Sequence, residues 1–264
     1  MPLYRGMDRA ALDAAYNNAV AVKNSAAIVD DWTRRTTEIR KRFSDSLDVS
    51  YGNAERNKID LFTAKPGAPL LAFIHGGWWQ NRAKENFGFV AEGPLAQGVS
   101  VAMIGYTLAP GKRLTGIVDE ISAALDFLSS RHPSIYVSGW SAGGHLTAMA
   151  MGHPAAKAGL AISGAYDLEP IRLNYVNDKL RLDEEESRRM SPMLLPAPKK
   201  PLIVTYGGAE LPEMRRQSED YGKHIGRPAR ALAGHDHFTI LDELASPSGA
   251  LTKMAQELIQ GHAR

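Results

Sequence analysis

The chain has 264 residues, of which 44% are hydrophobic, and a formal net charge of +2. This length and apolar content can supply the core of one domain spanning residues 1–264, and the interspersed charges form no basic stripe that would bind a nucleic-acid backbone. The sequence contains no cysteine, which excludes disulfides, thiolate metal sites and a thiol nucleophile.

The first residues lack the apolar core of a signal peptide, and the longest apolar runs, such as residues 70–74, are too short to cross a bilayer. We therefore expect a cytoplasmic protein with no membrane contact. Residues 8–43 carry apolar side chains at helical spacing, among them Leu12, Tyr16, Ile28 and Trp32. Residues 1–45 are thus predicted to form an N-terminal helical extension, either packed on the body alone or also covering the mouth of an active site.

From residue 47 onward, short apolar strands alternate with helical segments, a pattern typical of an α/β fold with a mostly parallel twisted sheet and helices on both faces. About eight strands are predicted, at residues 47–51, 58–62, 70–74, 100–104, 135–138, 159–163, 202–206 and 230–233. The predicted helices cover residues 88–97, 115–130, 142–151, 212–225 and 248–260. The first two strands are joined by a polar turn and are predicted to form an antiparallel hairpin at one sheet edge.

Residues 167–200 interrupt this alternation. They contain an acidic run, residues 183–186, followed by Arg188 and Arg189, which predicts a short solvated helix with acid at its start and base at its end. The segment lies between two predicted strands, and we interpret it as a candidate lid insertion.

The candidate nucleophile is Ser141, in the Gly-Trp-Ser-Ala-Gly sequence of residues 139–143. Small residues on both sides allow a sharp turn from the strand before the serine to the helix after it, which holds the hydroxyl clear of the sheet. The free N–H groups of the helix N-terminus would face an oxyanion formed at that serine. This arrangement predicts acyl-transfer hydrolysis.

A serine hydroxyl needs a histidine to take its proton. His237 is the predicted base, because it follows the last predicted strand and adjoins Phe238, whose packing could fix the imidazole; His235 is the alternative. The His-x-His spacing is also a metal-ligand pattern, but no cysteine or matching acid–histidine cluster accompanies it, so we predict no metal site.

The histidine in turn needs a carboxylate to orient it. Glu210 is the predicted acid, because it lies in a glycine-rich loop after the strand at 202–206, where the chain order serine, acid, histidine requires it. The alternative interpretation of Glu210 is a helix-terminal acid that complements the helix dipole. Three other carboxylates remain candidates: Asp236, Glu213 and Asp242.

Residues 75–79, His-Gly-Gly-Trp-Trp, directly follow the strand at 70–74. Glycines let backbone N–H groups approach a developing negative charge. The predicted oxyanion-hole donors are the N–H groups of Gly77, Trp78 and Ala142. The predicted substrate-pocket residues are His75, Gly76, Trp79 and Trp140.

Taken together, residues 75–79, 139–146, 163–168, 212–218 and 237–240 resemble the kynurenine formamidase (arylformamidase) branch of the α/β-hydrolases, and the similarity covers nearly the whole chain. The resemblance implies the α/β-hydrolase fold and the hydrolysis of N-formylkynurenine to kynurenine and formate without a cofactor. The acid of that family falls on Glu210, where the usual residue is aspartate. The extra methylene of Glu210 shifts its carboxylate, so this departure is compatible with a changed substrate.

The sequence thus predicts a serine hydrolase that cleaves a small-molecule carboxylic ester, amide or formamide through an acyl-enzyme. A general carboxylesterase or thioesterase acting on short acyl esters is the alternative within the same fold. A catalytically silent binding module is the alternative outside enzymes. We expect no cofactor, no nucleic-acid partner and a homodimer.

Overall fold

The fold is built on one eight-stranded sheet in a computed structural model that describes residues 2–261. The strands are β1 Val49–Ser50, β2 Lys58–Phe62, β3 Leu70–Ile74, β4 Ser100–Ile104, β5 Ile135–Trp140, β6 Ala156–Ile162, β7 Leu202–Gly207 and β8 Arg230–Leu232. Their order in the sheet is β1-β2-β4-β3-β5-β6-β7-β8. β2 runs antiparallel to both of its neighbours, and every pairing from β4 to β8 is parallel. The predicted fold class is confirmed.

Three strands, β2, β3 and β4, have the predicted bounds. The predicted edge hairpin forms, but β1 is only two residues long, and both of its side chains are exposed. β5 extends two residues beyond its predicted end, to Trp140, so the strand passes directly into Ser141.

The α-helices alternate with these strands. They are α1 Arg9–Ala15, α2 Asn18–Ala21, α3 Ser25–Arg42, α4 Glu92–Ala96, α5 Leu114–Ser129, α6 Ala142–Ala150, α7 Glu169–Arg172, α8 Asn177–Leu180, α9 Glu184–Arg189, α10 Pro212–His224, α11 Asp242–Ala245 and α12 Ala250–Ile259. The N-terminal extension is helical as predicted and consists of three helices, the second of which is capped by the side chain of Asn17. The predicted helix at 88–97 begins instead as a 3₁₀ turn, Gly88–Ala91.

Helices cover both faces of the sheet because the central strands are apolar on both sides. On β3, Leu70 and Ile74 belong to the core beneath α1, α5, α6 and α10, whereas Leu71 and Phe73 belong to the core beneath α3, α11 and α12. Within residues 2–261, no helix is long and apolar enough to span a membrane.

The extension and the segment at 167–200 contact each other. Tyr4 Oη donates to Asp167 Oδ2 at 2.8 Å, and the backbone N–H of Tyr175 donates to Asp13 Oδ1 at 2.8 Å. The segment at 167–200 folds as three short helices, α7 to α9, and Asp183 caps α9 as the acidic run predicted. These two segments therefore pack together at the end of the sheet where the parallel strands finish.

Candidate active site

Ser141 lies in a strained turn between β5 and α6. Its φ is +58°, a left-handed value that a residue with a side chain adopts only when its surroundings enforce it. The surroundings are tight: a Cβ at Gly143 would lie 1.9 Å from the backbone oxygen of Ile74, and one at Gly139 would lie 2.3 Å from the backbone oxygen of Gly143. Glycine at both positions lets α6 begin beside β3, which places the hydroxyl at the helix N-terminus.

Three predicted residues meet at the carboxyl ends of three strands. His237 Nε2 lies 3.1 Å from Ser141 Oγ, and His237 Nδ1 lies 2.9 Å from Glu210 Oε2. Ser141 follows β5, Glu210 follows β7 and His237 follows β8, and all three are buried. This edge is where open parallel sheets bind ligands. The hydrogen-bonded order serine, histidine, acid is the geometry of a general-base-activated nucleophile.

Glu210 is held by two further donors on its other oxygen. Ser163 Oγ donates to Glu210 Oε1 at 2.5 Å, and the backbone N–H of Gly207 donates to the same atom at 2.6 Å. Ser163 follows β6 directly and has a left-handed φ of +53°. Ser163 was not among the predicted site residues, although it opens the Ser-Gly-Ala-Tyr-Asp-Leu stretch that carries part of the family resemblance.

The alternative acids and the alternative histidine lie in other interactions. Asp236 Oδ1 accepts from the N–H groups of Phe238 and Thr239 and so caps the loop that presents His237. The other three pair elsewhere: Glu213 with Arg216 at 2.7 Å, Asp242 with Arg35 at 2.9 Å, and His235 with Glu243 at 3.4 Å. Of the residues considered, only His237 and Glu210 connect to Ser141.

Two backbone donors come from the loop after β3. Gly77 and Trp78 both have positive φ values, +112° and +51°, which turn their N–H groups out of the regular strand direction. A Cβ at Gly77 would lie 2.2 Å from the backbone oxygen of Asn81, so only glycine fits. Within residues 2–261, the N–H groups of Gly77, Trp78 and Ala142 have no hydrogen-bond acceptor. Gly77, Trp78 and Ser141 line the same cavity, so these donors are available to a charge formed there.

The cavity over Ser141 has a volume of about 640 Å³, a size that suits a small-molecule ligand. Its aromatic walls are Trp78, Trp140, Tyr175 and Phe238. Trp140 also supports the base, because its Nε1 donates to the backbone oxygen of His237 at 2.7 Å and its ring lies 4.8 Å from the imidazole. The predicted pocket residue Trp140 therefore lines the cavity.

The other three predicted pocket residues, His75, Gly76 and Trp79, do not line this cavity; they lie buried beneath its wall. The ring of His75 stacks on Tyr106 at 4.2 Å, and its Nδ1 contacts the backbone oxygen of Gly76 at 2.8 Å. Trp79 packs edge-on against His145 in the core. The backbone of residues 77–79 turns with positive φ, and although the rings of Trp78 and Trp79 lie 5.9 Å apart, Trp78 lines the cavity and Trp79 is buried. Burial lowers the pKa of His75 to about 4 and that of His145 to about 4.

Several wall residues were not predicted. They are Asn17, Asn18, Ala19, Gln80, Asn81, Arg82, Asn86, Tyr175 and Phe238. Residues 17–19 come from the extension and Tyr175 comes from the segment at 167–200, so both segments contribute to the wall of the cavity. Apart from Phe238, which adjoins His237, no short motif marks these positions, because they reach the site through tertiary packing. In the part of the chain that the structure describes, no group of three or more His, Asp or Glu side chains could hold a metal ion.

The eight-stranded sheet and the Ser141 site at its carboxyl edge define an α/β-hydrolase, a class of enzymes that use a serine on a strand-to-helix turn. The model of the BD-FAE family matches residues 60–239, more than half of the sequence, and the chain belongs to that family.

Curated relatives extend the similarity to most of the chain. A kynurenine formamidase of Danio rerio is 31% identical over 81% of this chain and 81% of its own length. A kynurenine formamidase of Salmo salar is 30% identical over 90% of this chain and 89% of its own length. The family resemblance seen in the motifs is therefore confirmed, and so is the prediction of an α/β-hydrolase enzyme.

Solved structures have the same fold. A Silicibacter protein provisionally described as a thioesterase is 29% identical and superimposes with a TM-score of 0.87 over 92% of this chain and 97% of its own. An esterase of Pyrobaculum calidifontis, 16% identical, has a TM-score of 0.67 over 100% of both chains and shows the fold alone.

Proposed function

We propose that this enzyme is an arylformamidase-like serine hydrolase that converts N-formylkynurenine to kynurenine and formate through a formyl-enzyme. The observation that carries the proposal is the Ser141–His237–Glu210 hydrogen-bonded chain at the floor of a cavity that also receives the free N–H groups of Gly77 and Trp78. The similarity to two fish kynurenine formamidases over most of the chain supports the choice of substrate.

In the first half of the reaction, Ser141 Oγ attacks the formyl carbon while His237 Nε2 takes the hydroxyl proton. Glu210 accepts from Nδ1–H, which fixes the imidazole tautomer and stabilises the imidazolium. The carbonyl oxygen becomes an oxyanion that accepts from the N–H groups of Gly77, Trp78 and Ala142, each such donor being worth about 2.7–4 kcal/mol of transition-state stabilisation. Collapse breaks the C–N bond, and His237 gives its proton to the departing aryl amine.

In the second half, a water molecule takes the place of the amine. His237 Nε2 accepts a proton from that water as its oxygen attacks the formyl ester of Ser141, and the same oxyanion donors stabilise the second tetrahedral intermediate. Its collapse releases formate and returns the proton to Ser141 Oγ. Every proton thus passes through one imidazole, whose orientation depends on Glu210.

The shape of the cavity supports a small acyl group on a flat leaving group. Trp78, Trp140 and Phe238 form aromatic walls beside Ser141, and such walls pack well against an aryl ring. A formyl group needs little space between the serine and the oxyanion donors. The aromatic amine would then occupy the larger, outer part of the cavity.

Steady-state kinetics with four substrates tests this proposal: N-formylkynurenine, formanilide, 4-nitrophenyl acetate and a short acyl thioester. We expect kcat/KM to be highest for N-formylkynurenine, although its amide is chemically less reactive than the activated ester. Ser141→Ala protein is the control and should retain less than about a thousandth of the turnover. Absence of N-formylkynurenine hydrolysis by active wild-type enzyme would refute the formamidase assignment.

The second candidate is a carboxylesterase or thioesterase acting on short acyl groups. The favouring observation is the close superposition on the Silicibacter protein described as a thioesterase. A higher kcat/KM for the thioester or for 4-nitrophenyl acetate than for N-formylkynurenine would support this candidate instead. The cytoplasmic location and the homodimer stay predictions, which cell fractionation and light scattering would test.

A further inference from the structure

The described wall of the cavity over Ser141 carries a positive side chain and no negative one. Among the described residues that line the cavity over Ser141, none is an aspartate or a glutamate. Apart from Ser141 and His237, its polar side chains are carboxamides, the hydroxyl of Tyr175 and the single guanidinium of Arg82. Glu210 bonds to His237 from behind and is not part of this wall. Such a wall favours a ligand with a negative charge over a neutral or cationic one.

Arg82 is exposed at the cavity and forms no ion pair with any described residue; Asp30 acts on it electrostatically without contact. Its backbone is nevertheless fixed, because its φ is +73° and its carbonyl oxygen accepts from Arg56 Nη2 at 2.6 Å. The stem of its side chain lies beside Gly77, since a Cβ on that glycine would come within 2.9 Å of Arg82 Cγ. The side-chain stem thus lies beside the oxyanion loop, and the guanidinium, which pairs with no described carboxylate, is available to a ligand in the cavity.

Asn18 is an independent sign of a ligand. It is 4% exposed and lines the cavity, yet neither its Nδ2 nor its Oδ1 has a hydrogen-bond partner among the described residues. The neighbouring wall carboxamides differ: Asn17 Oδ1 caps α2, and Asn86 bonds to Ala83 and Thr33. A buried carboxamide with both polar ends unpaired destabilises the folded protein unless something else bonds to it.

We propose that Arg82 and Asn18 form a subsite for a carboxylate-bearing leaving group, in which Arg82 binds the carboxylate and Asn18 bonds a second polar group of the same molecule. The inference rests on the proposed function, because a formyl group leaves no room for charge on the acyl side, so the anion belongs to the aryl amine. The substrate class is then an aryl amide or aryl ester with a carboxylate on the part that departs. Arg82 selects this class by a charge-assisted hydrogen bond.

The test uses a matched pair of aryl acetates, 3-acetoxybenzoate and its neutral methyl ester, which carry the same acetyl group on the same ring. For Arg82→Gln, we expect kcat/KM for the anion to fall about tenfold to about a hundredfold, mainly through KM, because a hydrogen bond to a charged group is lost. The value for the methyl ester should change less than about twofold. Arg82→Lys should recover part of the loss, since it restores the charge but not the planar fork.

Arg34→Gln is the matched control, because Arg34 is exposed, has Asp31 on α3 as its sole ion-pair partner among residues 2–261 and lies outside the cavity. It should leave the anion-to-neutral ratio unchanged. An equal loss on both esters in Arg82→Gln would overturn the proposal. Should neither ester be turned over, the same ratio is measured by titration calorimetry of 3-hydroxybenzoate and its methyl ester with Ser141→Ala protein, where equal binding of the two overturns it.

This design separates the subsite from the proposed substrate. If N-formylkynurenine is not hydrolysed but the ester ratio depends on Arg82, the anion subsite stands and the formamidase assignment falls. If N-formylkynurenine is hydrolysed equally well by wild type and Arg82→Gln, the assignment stands and the subsite falls.

Asn18 is tested by Asn18→Leu, which replaces two unpaired polar atoms with apolar ones of similar volume. A ligand-binding role predicts that the thermal midpoint is unchanged or higher while KM for 3-acetoxybenzoate rises at least severalfold. A merely structural role predicts a lower thermal midpoint and an unchanged KM, which would remove Asn18 from the subsite.

Discussion

Two polar networks with buried side chains lie at different strands of this sheet, one beside β2 and the other after β5, β6, β7 and β8. The first, the Lys84 network, joins Lys84 to Asp48, Asp60 and Glu85 at 2.6–2.8 Å, and Arg40 of α3 also binds Asp60. The second, the Ser141 network, runs from Ser163 through Glu210 and His237 to Ser141. Both contain buried ionisable side chains that sequence patterns associate with the protein surface.

The two networks differ in how they end. Lys84 donates all three of its ammonium protons to carboxylates, so its ammonium group has no donor left for a ligand. Burial acts to lower the pKa of Lys84, but the hydrogen bonds to the three carboxylates outweigh it and hold this pKa above its ordinary value. The Ser141 network is closed at Ser163 and Gly207 but ends at a hydroxyl that lines the cavity. A polar chain that ends at a hydroxyl in a cavity can pass a proton to or from a ligand, whereas an ammonium group whose three donors are all used holds neighbouring elements together.

Breaking the Ser141 network at its centre should have the largest effect. We expect Glu210→Gln to lower kcat about 10³- to 10⁴-fold with little change in KM or thermal midpoint, because an amide favours the wrong imidazole tautomer. Glu210→Asp should be milder yet impaired, since the shorter arm stretches the 2.9 Å contact with Nδ1. Kinetics and thermal melting on the same samples measure both. Near-normal turnover in Glu210→Gln, with a large loss in Asp236→Asn, would reassign the acid.

Local sequence patterns explain which strands and which site residues could be predicted. β2, β3 and β4 were bounded correctly because their apolar runs end at polar or glycine residues, and Ser141, Glu210 and His237 were found because each follows a strand in a characteristic loop. Trp79 was misplaced because the backbone twist that turns it from the cavity is not encoded in any spacing. The remaining elements of both networks depend on contacts between distant segments.

Lys84 and Arg82 illustrate that limit. Lys84 pairs with Asp60, 24 residues earlier and on another element, and neither residue lies in a motif. Arg82, two residues away from Lys84, reaches the cavity instead of an acid. Sequence alone does not show that Lys84 is buried and that Arg82 lines the cavity, because the backbone turn at residues 77–82 determines where each side chain lies.

Breaking the Lys84 network should change stability rather than chemistry. We expect Lys84→Met to lower the free energy of unfolding by about 3 kcal/mol, because the buried carboxylate of Asp60 then keeps, among the described residues, only Arg40 and the backbone N–H of Asp48 as partners. The folded fraction should keep its kcat, since Lys84 does not touch the cavity over Ser141. Urea unfolding measures the stability, and turnover normalised to the concentration of active sites measures kcat.

Lys41→Met, which removes an exposed i,i+3 pair, is the control and should change stability by less than about 1 kcal/mol. A Lys84→Met enzyme as stable as wild type would contradict the structural role.

Lowering the pH should destabilise the fold through two buried histidines that form no ion pair with a described residue, His75 and His145. His75 and His145 have pKa values lowered by burial from 6.5 to about 4, so the unfolded chain binds their protons first. Their neutral forms stabilise the fold fully above pH 6.5, and this stability is lost as pH falls from 6.5 towards 4, by on the order of 3 kcal/mol per imidazole. Urea unfolding at intervals of pH measures the slope. His145→Gln should flatten it, and a wild-type stability that does not fall in this range would count against both assignments.

The smallest expected effect comes from the closed end of the Ser141 network. Ser163 positions Glu210, so Ser163→Ala should lower kcat roughly tenfold with KM unchanged, because one of the two donors to Oε1 is lost and Gly207 remains. Ser163→Gly removes the same hydroxyl but also relieves the positive φ of +53°. It should show the same kcat as Ser163→Ala with a higher thermal midpoint.

Ser138→Ala is the matched control, since Ser138 is equally buried and its hydroxyl donates to the backbone oxygen of Leu160. If Ser163→Ala and Ser138→Ala change kcat equally, the hydroxyl of Ser163 only fills space. If the kcat of Ser163→Gly returns to the wild-type value, backbone strain and not the hydrogen bond to Glu210 governs the position of the acid.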